Sequence, residues 1–358
     1  MEIEKTLPII RELSNAPGVS GFEDAVNDVV RRHGDGLGEW SEDAMRNLYL
    51  RRPGMKEGRI TLMLDAHSDE VGFMVRAIRP NGTMDIVPLG GWVPSSIPAH
   101  KVLVQNKKGE WVPGVIASKP VHLLSDAEQK LAPDIGSMVI DVGARSEREL
   151  REEYQIAMAA PVVPDVTFEY RSNHDIMIGK AFDDRLGCAA ILSTFRELAA
   201  DELPINIVGA FASQEEVGLR GAIVTAQVVK PSITIAFEGC PADDTVLDSY
   251  LIQTALKKGP MLRHIDSRMI TSPRFQRFAL DTAQKNNLPV QEAVRNSGAT
   301  NGGVIHVGGK AIPTIVIGVP VRYIHTHHSI ASYSDYENSV KLACAIIRGL
   351  NEKIIAGF

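Results

Sequence analysis

Six positions carry side chains suited to holding divalent cations and moving a proton. They are His67 in LDAHSDE, Asp183 in KAFDDRLG, Glu215 and Glu216 in SQEEVGLRG, Glu238 in FEGCP and His325 in RYIHTHH. Two cations that share a carboxylate need one bridging Asp, two His, two further carboxylates and a free Glu as base. The six residues have that composition. They are spread from position 67 to position 325, so only the fold can bring them together.

The apolar pattern indicates how. The β-branched run RITLML (59–64) leads into His67, INIVGAF (205–211) into Glu215 and Glu216, and ITIAF (233–237) straight into Glu238. TIVIGV (314–319), past Pro320, leads into His325. Continuous rather than alternating hydrophobicity predicts parallel strands covered on both faces by helices. Ligands of open α/β sheets gather at the carboxyl ends of the strands, where these four groups fall. Asp183 instead precedes a helix-like stretch over 185–199.

Each motif has a plainer reading. A lone His after a strand is more often structural than ligating, but Asp69 can orient the His67 ring through its second nitrogen. Asp65 and Glu70 read as turn or solvent-facing groups. Asp183 and Asp184 could simply cap a helix; Asp183 is the better bridge, because Asp184 falls within the helix start. Glu215 and Glu216 follow a buried strand and precede Val217-Gly218-Leu219, where a solvated pair is not expected. One can bind a cation while the other faces a water, a division that suits general-base hydrolysis. Among His325, His327 and His328 the spacing does not decide. The Gly-rich run 296–303 lacks the Lys-Ser/Thr ending of a P-loop and the GxGxxG fingerprint, so it reads as a close-packing or substrate-contacting loop rather than a nucleotide site.

The 358 residues suffice for a large core and two domains. A net charge of −6 without a basic run argues against nucleic acid and anionic membranes as partners. The acidic N-terminus reads as an amphipathic helix rather than a secretory signal, and no apolar run reaches membrane-spanning length. Cys188, Cys240 and Cys344, odd in number and unpaired in spacing, suit reduced thiols in a cytoplasmic protein.

After Glu70 the pattern changes to short alternating strands: GFMVRAI, TMDIVPL, KVLVQN, EWVPGVIAS, SMVIDVGA and VTFEY. Turn signals at Pro80-Asn81-Gly82, Lys108-Gly109 and Pro113-Gly114 separate them, with one short helix capped by Ser146. The expected fold is a three-layer α/β catalytic domain (1–70 and 171–358) with an inserted β-barrel-like domain (71–170). The insertion supplies none of the six candidate residues, so it is expected to make subunit contacts rather than chemistry.

AHSDEVGFMV, KAFDDRLGC, QEEVGLRGA and RYIH, with the early APGVSGFE, resemble in order and spacing the tetrahedral and glutamyl aminopeptidases. These are cocatalytic metallo-aminopeptidases, some labelled endoglucanases. The resemblance covers nearly the whole chain. It implies Asp183 as bridge, His67 and Glu238 at one metal, Glu216 and His325 at the other, Glu215 as general base and Asp69 behind His67. It selects His325 over its neighbours, and it implies two zinc or cobalt ions, short peptide substrates and homo-oligomers, commonly twelve-subunit tetrahedral shells. Two positions depart from the family: Glu238 stands where Asp is usual, and Asn301 replaces the Asp of a GGTDAG loop. The second change is expected to remove a charge near the substrate groove. The reading is a metal-dependent aminopeptidase. The alternatives are an amidohydrolase acting on N-acyl amino acids and a non-catalytic assembly protein with a decayed site. Glycoside hydrolysis would need two free carboxylates across a sugar cleft, which this ligand set does not leave.

Overall fold

A computed structural model describes residues 1–126 and 131–358. Strands β1 (Glu39–Glu42), β2 (Leu48–Arg51) and β3 (Thr61–His67) come first. A second group follows: β4 (Gly72–Ile78), β5 (Met84–Leu89), β6 (Lys101–Gln105), β7 (Trp111–Ile116), β8 (Val139–Asp141) and β9 (Pro161–Pro164). The last group is β10 (Glu169–Arg171), β11 (Ile176–Gly179), β12 (Asn206–Ala212), β13 (Ile233–Pro241), β14 (Met261–Ile265), β15 (Gln291–Val294), β16 (Thr314–Arg322) and β17 (Ser329–Ala331).

The first and last groups form one sheet in the order β1-β2-β12-β3-β13-β16-β17-β11-β10, with β14 and β15 branching from β16. Its centre, β12-β3-β13-β16, is parallel, as the uninterrupted apolar runs require. Alternate residues of β3 serve two cores. Leu62, Leu64 and Ala66 pack with the helices Ile3–Asn15, Phe182–Glu197 and Tyr333–Gly349 on one face; Met63 packs with Ala222 and Ala226 of the helix Arg220–Val229 on the other. The result is the expected three layers. Residues 182–195 are all buried, and from Leu186 to Leu192 this helix carries only apolar or small residues on every face.

The second group closes into a barrel, β4-β5-β8-β7-β6-β9, around Phe73, Val75, Met84, Val102, Val104, Ile140 and Val162. Ser146 caps its short helix Glu147–Glu152, accepting the Glu149 N–H at 3.2 Å. Two local expectations change. The sixth barrel strand is β9, whereas the VTFEY run yields only β10, which pairs with β11 in the large sheet. Pro113 and Gly114 lie inside β7 rather than in a turn; a Cβ at 114 would stand 3.0 Å from the Asp141 carbonyl of β8, so the glycine serves close strand approach. No helix among the described residues is long and apolar enough to cross a membrane.

Glu70 is not the solvent-facing group expected from its sequence context. It is 1% exposed, and its carboxylate accepts from Lys180 Nζ at 2.5 and 2.7 Å, from Arg185 at 3.3 Å and from the Gly18 N–H at 3.0 Å. Arg185 also donates to the carbonyls of Leu13, Ala16 and Gly18. One buried ionic knot thus ties the segment after the first helix to the chain flanking both His67 and Asp183. Burial pulls the Lys180 ammonium down to about 8 even with Glu70 beside it. Removing one partner of a buried ionic group leaves uncompensated charge and typically costs about 3–5 kcal/mol. Glu70→Gln is expected to lower stability by an amount of this order in chemical unfolding. A change within about 0.5 kcal/mol, the range of an ordinary surface substitution, would contradict the role given to the knot.

Candidate metal centre

The parallel strands deliver their loops to one crevice. His67 ends β3, opposite Ala212 of β12, and Ser213–Glu216 follow immediately. Glu238 lies inside β13 rather than beyond it, because pairing with β16 continues to Pro241. Asp183 opens the buried helix, and the Asp183–Asp184 peptide is cis. It approaches β13 so closely that a Cβ on Gly239 would lie 2.6 Å from the Asp183 Cα. His325 follows β16.

All six predicted residues meet there. Asp183 Oδ1 is 3.2 Å from His67 Nε2, and its Oδ2 is 3.4 Å from His325 Nε2. Glu216 reaches His325 Nε2 at 3.4 Å, and Glu215 stands 3.9 Å from His67 Nε2. Ligand atoms of His67, Glu215 and Glu238, and separately of His67, Asp183 and Glu216, lie within 4.8 Å of one another. The oxygen and nitrogen donors suit a divalent metal ion.

Electrostatics favours a cation in this crevice. Burial pushes Glu215 up to about 8 and Glu216 to about 7, with neighbouring carboxylates adding to the shift. Burial also drives Glu238 well above the usual carboxylate range, reinforced by Asp183 and Glu215. Burial alone would neutralise the imidazoles, but acidic neighbours outweigh it: His325 rises to about 9 and His67 moves well above its ordinary value. Asp183 resists its burial because both imidazoles donate to it, and it stays below the usual range. Without metal the centre therefore holds extra protons, which a divalent ion would displace.

The loop carrying the paired glutamates is held by two carboxylates from elsewhere in the chain. Gln214 has a left-handed backbone (φ +53), an uncommon conformation for a non-glycine residue. Its N–H donates to Glu23 Oε1 at 3.1 Å. The next two amides, of Glu215 and Glu216, donate to Asp69 Oδ1 and Oδ2 at 2.9 and 3.1 Å. Ser20 donates to the same Asp69 carboxylate at 2.6 Å. Asp69 also stands behind His67 as expected, with Nδ1 3.1 Å from its carbonyl oxygen and 3.4 Å from its Oδ1. Asp184 secures the strand end from another side, accepting the His67 and Gly187 N–H groups.

A model of the M42 glutamyl aminopeptidases matches residues 46–342. The chain belongs to this family. The M42 aminopeptidases are metal-dependent peptidases, in keeping with the donor set. The glutamyl aminopeptidase of Lactococcus lactis is 33% identical over 349 residues, covering 97% of both chains. A TET aminopeptidase from a marine sediment archaeon of the Thaumarchaeota has a TM-score of 0.95 at 33% identity over 99% of both chains. The Pyrococcus horikoshii TET1 peptidase, described as able to assemble into a tetrahedron or a large octahedral shell, has a TM-score of 0.86 at 27% identity, covering 96% of this chain and 100% of its own.

Other sequence expectations for this M42 aminopeptidase change. Asp65 is fully buried rather than solvated, and it accepts from Asn301 Nδ2 at 2.8 Å. Asn301, 1% exposed, therefore faces Asp65 and not a substrate groove; an Asp there would have placed two carboxylates in contact. Residues not anticipated include Ser20, Glu23 and the Gly90-Gly91 turn of the barrel. A Cβ on Gly90 (φ +81) would lie 3.2 Å from Glu216, and one on Gly91 would lie 3.3 Å from His325 Nδ1. Ser20 and Glu23 sit in the APGVSGFE segment, the one signal that could have found them.

The raised carboxylates and imidazoles stabilise the metal-free fold fully below their unfolded pKa values, and that contribution is lost as pH rises through their folded values. The metal-free enzyme is expected to lose thermal stability between pH 6 and about 9, the upper limit being the folded His325 value. Added zinc should raise the melting temperature more at pH 8 than at pH 6. An equal zinc effect at both pH values would contradict the proton-holding centre.

Proposed function

We propose that this aminopeptidase removes N-terminal residues from short peptides with the help of two divalent ions, both of which Asp183 would hold. One observation carries the reading: the two Asp183 oxygens face different histidines, Oδ1 toward His67 and Oδ2 toward His325. His67 and Glu238 would complete one site, and Glu216 and His325 the other. When bound, the metals would polarise the scissile carbonyl and make the attacking water more acidic.

Glu215 takes the proton from that water and returns it to the leaving amine. Its carboxylate 3.9 Å from His67 Nε2 supports this role, and Asp69 fixes its backbone. The surrounding carboxylates attract the substrate ammonium, giving preference for free N-termini. The barrel is assigned to subunit association, in line with the shell-forming relative, and the working form is a homo-oligomer.

The reading predicts about two metals per chain in fully active protein. Asp183→Asn should lower occupancy of both sites, measured by elemental analysis; loss of one metal alone would move the bridge elsewhere. Free short peptides should be cleaved and their N-acetylated counterparts left intact. Comparable turnover of the two would favour hydrolysis of N-acyl amino acids instead. Light scattering should find a multimer at micromolar concentration, and a monomer would remove the assembly role.

A further inference from the structure

The loop that presents His325 is left-handed at Tyr323 (φ +61) and again at His325 (φ +57), conformations that cost a non-glycine residue about 1 kcal/mol or more each. Local bonds brace it only partly: the Thr326 hydroxyl lies 2.8 Å from the Tyr323 carbonyl and 2.9 Å from that of His328. The stronger constraint is aromatic. His327 is 1% exposed, and neither ring nitrogen has a hydrogen-bond partner, so the imidazole acts here as a flat apolar plate. It stacks on His100 with centroids 4.0 Å apart and planes at 18°, and it meets Trp92 at 5.2 Å.

Both partners belong to the barrel. Trp92 stacks on Phe73, a fully buried residue of the barrel core, at 4.9 Å, and its indole N–H donates to the Gly72 carbonyl at 3.1 Å. His100 is held by the Pro98 carbonyl, 3.2 Å from its Nδ1. A column of rings, Phe73-Trp92-His327-His100, therefore seats the residue two past His325 against two rings of the barrel. The Gly90-Gly91 turn beside it closes against Glu216 and His325.

We propose that His327, clasped between Trp92 and His100, is a positioning residue that fixes the His325 imidazole against Asp183 and Glu216, making the barrel part of the metal centre's scaffold. This rests on His325 being a metal ligand. A ring pinned in this way needs no reordering when metal arrives. Groups that orient a ligand typically change metal affinity by 10–100-fold.

The test titrates metal-depleted, full-length protein with cobalt(II), following visible absorption and bound stoichiometry. His327→Ala and His100→Ala are expected to bind one cobalt as the unaltered protein does and the second about 10–100-fold more weakly. His327→Phe, which keeps the plate and loses the nitrogens, should bind both normally. Should His327→Ala not fold, the half-buried His100→Ala carries the test. Normal second-site binding in the alanine variants overturns the proposal. Weak binding in His327→Phe also overturns it, because the imidazole would then be acting as a ligand. His325→Ala separates the two readings. If it loses one cobalt while His327→Ala does not, positioning alone fails; if it keeps both, the ligand assignment beneath the proposal fails.

Discussion

Like charges crowded into a buried crevice are the constraint on which this molecule turns. Asp183, Glu215, Glu216 and Glu238 converge where solvent screens them little, and at an effective dielectric near 20 two charges about 4 Å apart interact by roughly 4 kcal/mol. The two imidazoles offset only part of this. Protons or cations must supply the rest, and burial among these carboxylates raises the proton affinities of Glu215, Glu216 and Glu238. The same instability makes the centre receptive to divalent ions.

A crevice of this kind must be held open by groups that do not themselves ligate. The parallel strands set the positions of His67 and Glu238 through register alone, whereas the paired glutamates sit on a loop. Three consecutive amides of that loop, at 214, 215 and 216, are gripped by Glu23 and Asp69. Glu70, Lys180 and Arg185 lock the neighbouring N-terminal segment in place. Rigidity in the backbone thus offsets repulsion between the side chains. It also explains how adjacent residues Glu215 and Glu216 can face different histidines.

The candidate positions were readable because apolar runs lead into His67, Glu215, Glu216, Glu238 and His325, although β13 carries Glu238 three residues before its own end. Asp183 was readable by its place at a helix start. Glu70 and Asp65 were misread for a physical reason. A charge beside a turn is normally solvated, and their burial depends on partners distant in sequence, Lys180 and Asn301. Asn301 was misplaced for the same reason: a Gly-rich loop gives no sign of which wall it packs against. VTFEY has the alternation of a barrel strand, but strand pairing is settled by neighbours, and its end joins β11. The part played by Gly90, Trp92 and His100 was invisible because it is a contact between two differently patterned regions.

The division of labour between the two adjacent glutamates is the most exposed part of the account. Metal content and single-turnover rate should be measured side by side on Glu215→Gln and Glu216→Gln. Glu215→Gln is expected to keep both metals and to lose on the order of 10²–10⁴-fold in rate, since Gln can hydrogen-bond the water but cannot accept its proton. Glu216→Gln should lose metal first and activity as a consequence. A metal-poor Glu215→Gln beside a metal-replete, inactive Glu216→Gln would reverse the roles and contradict the account.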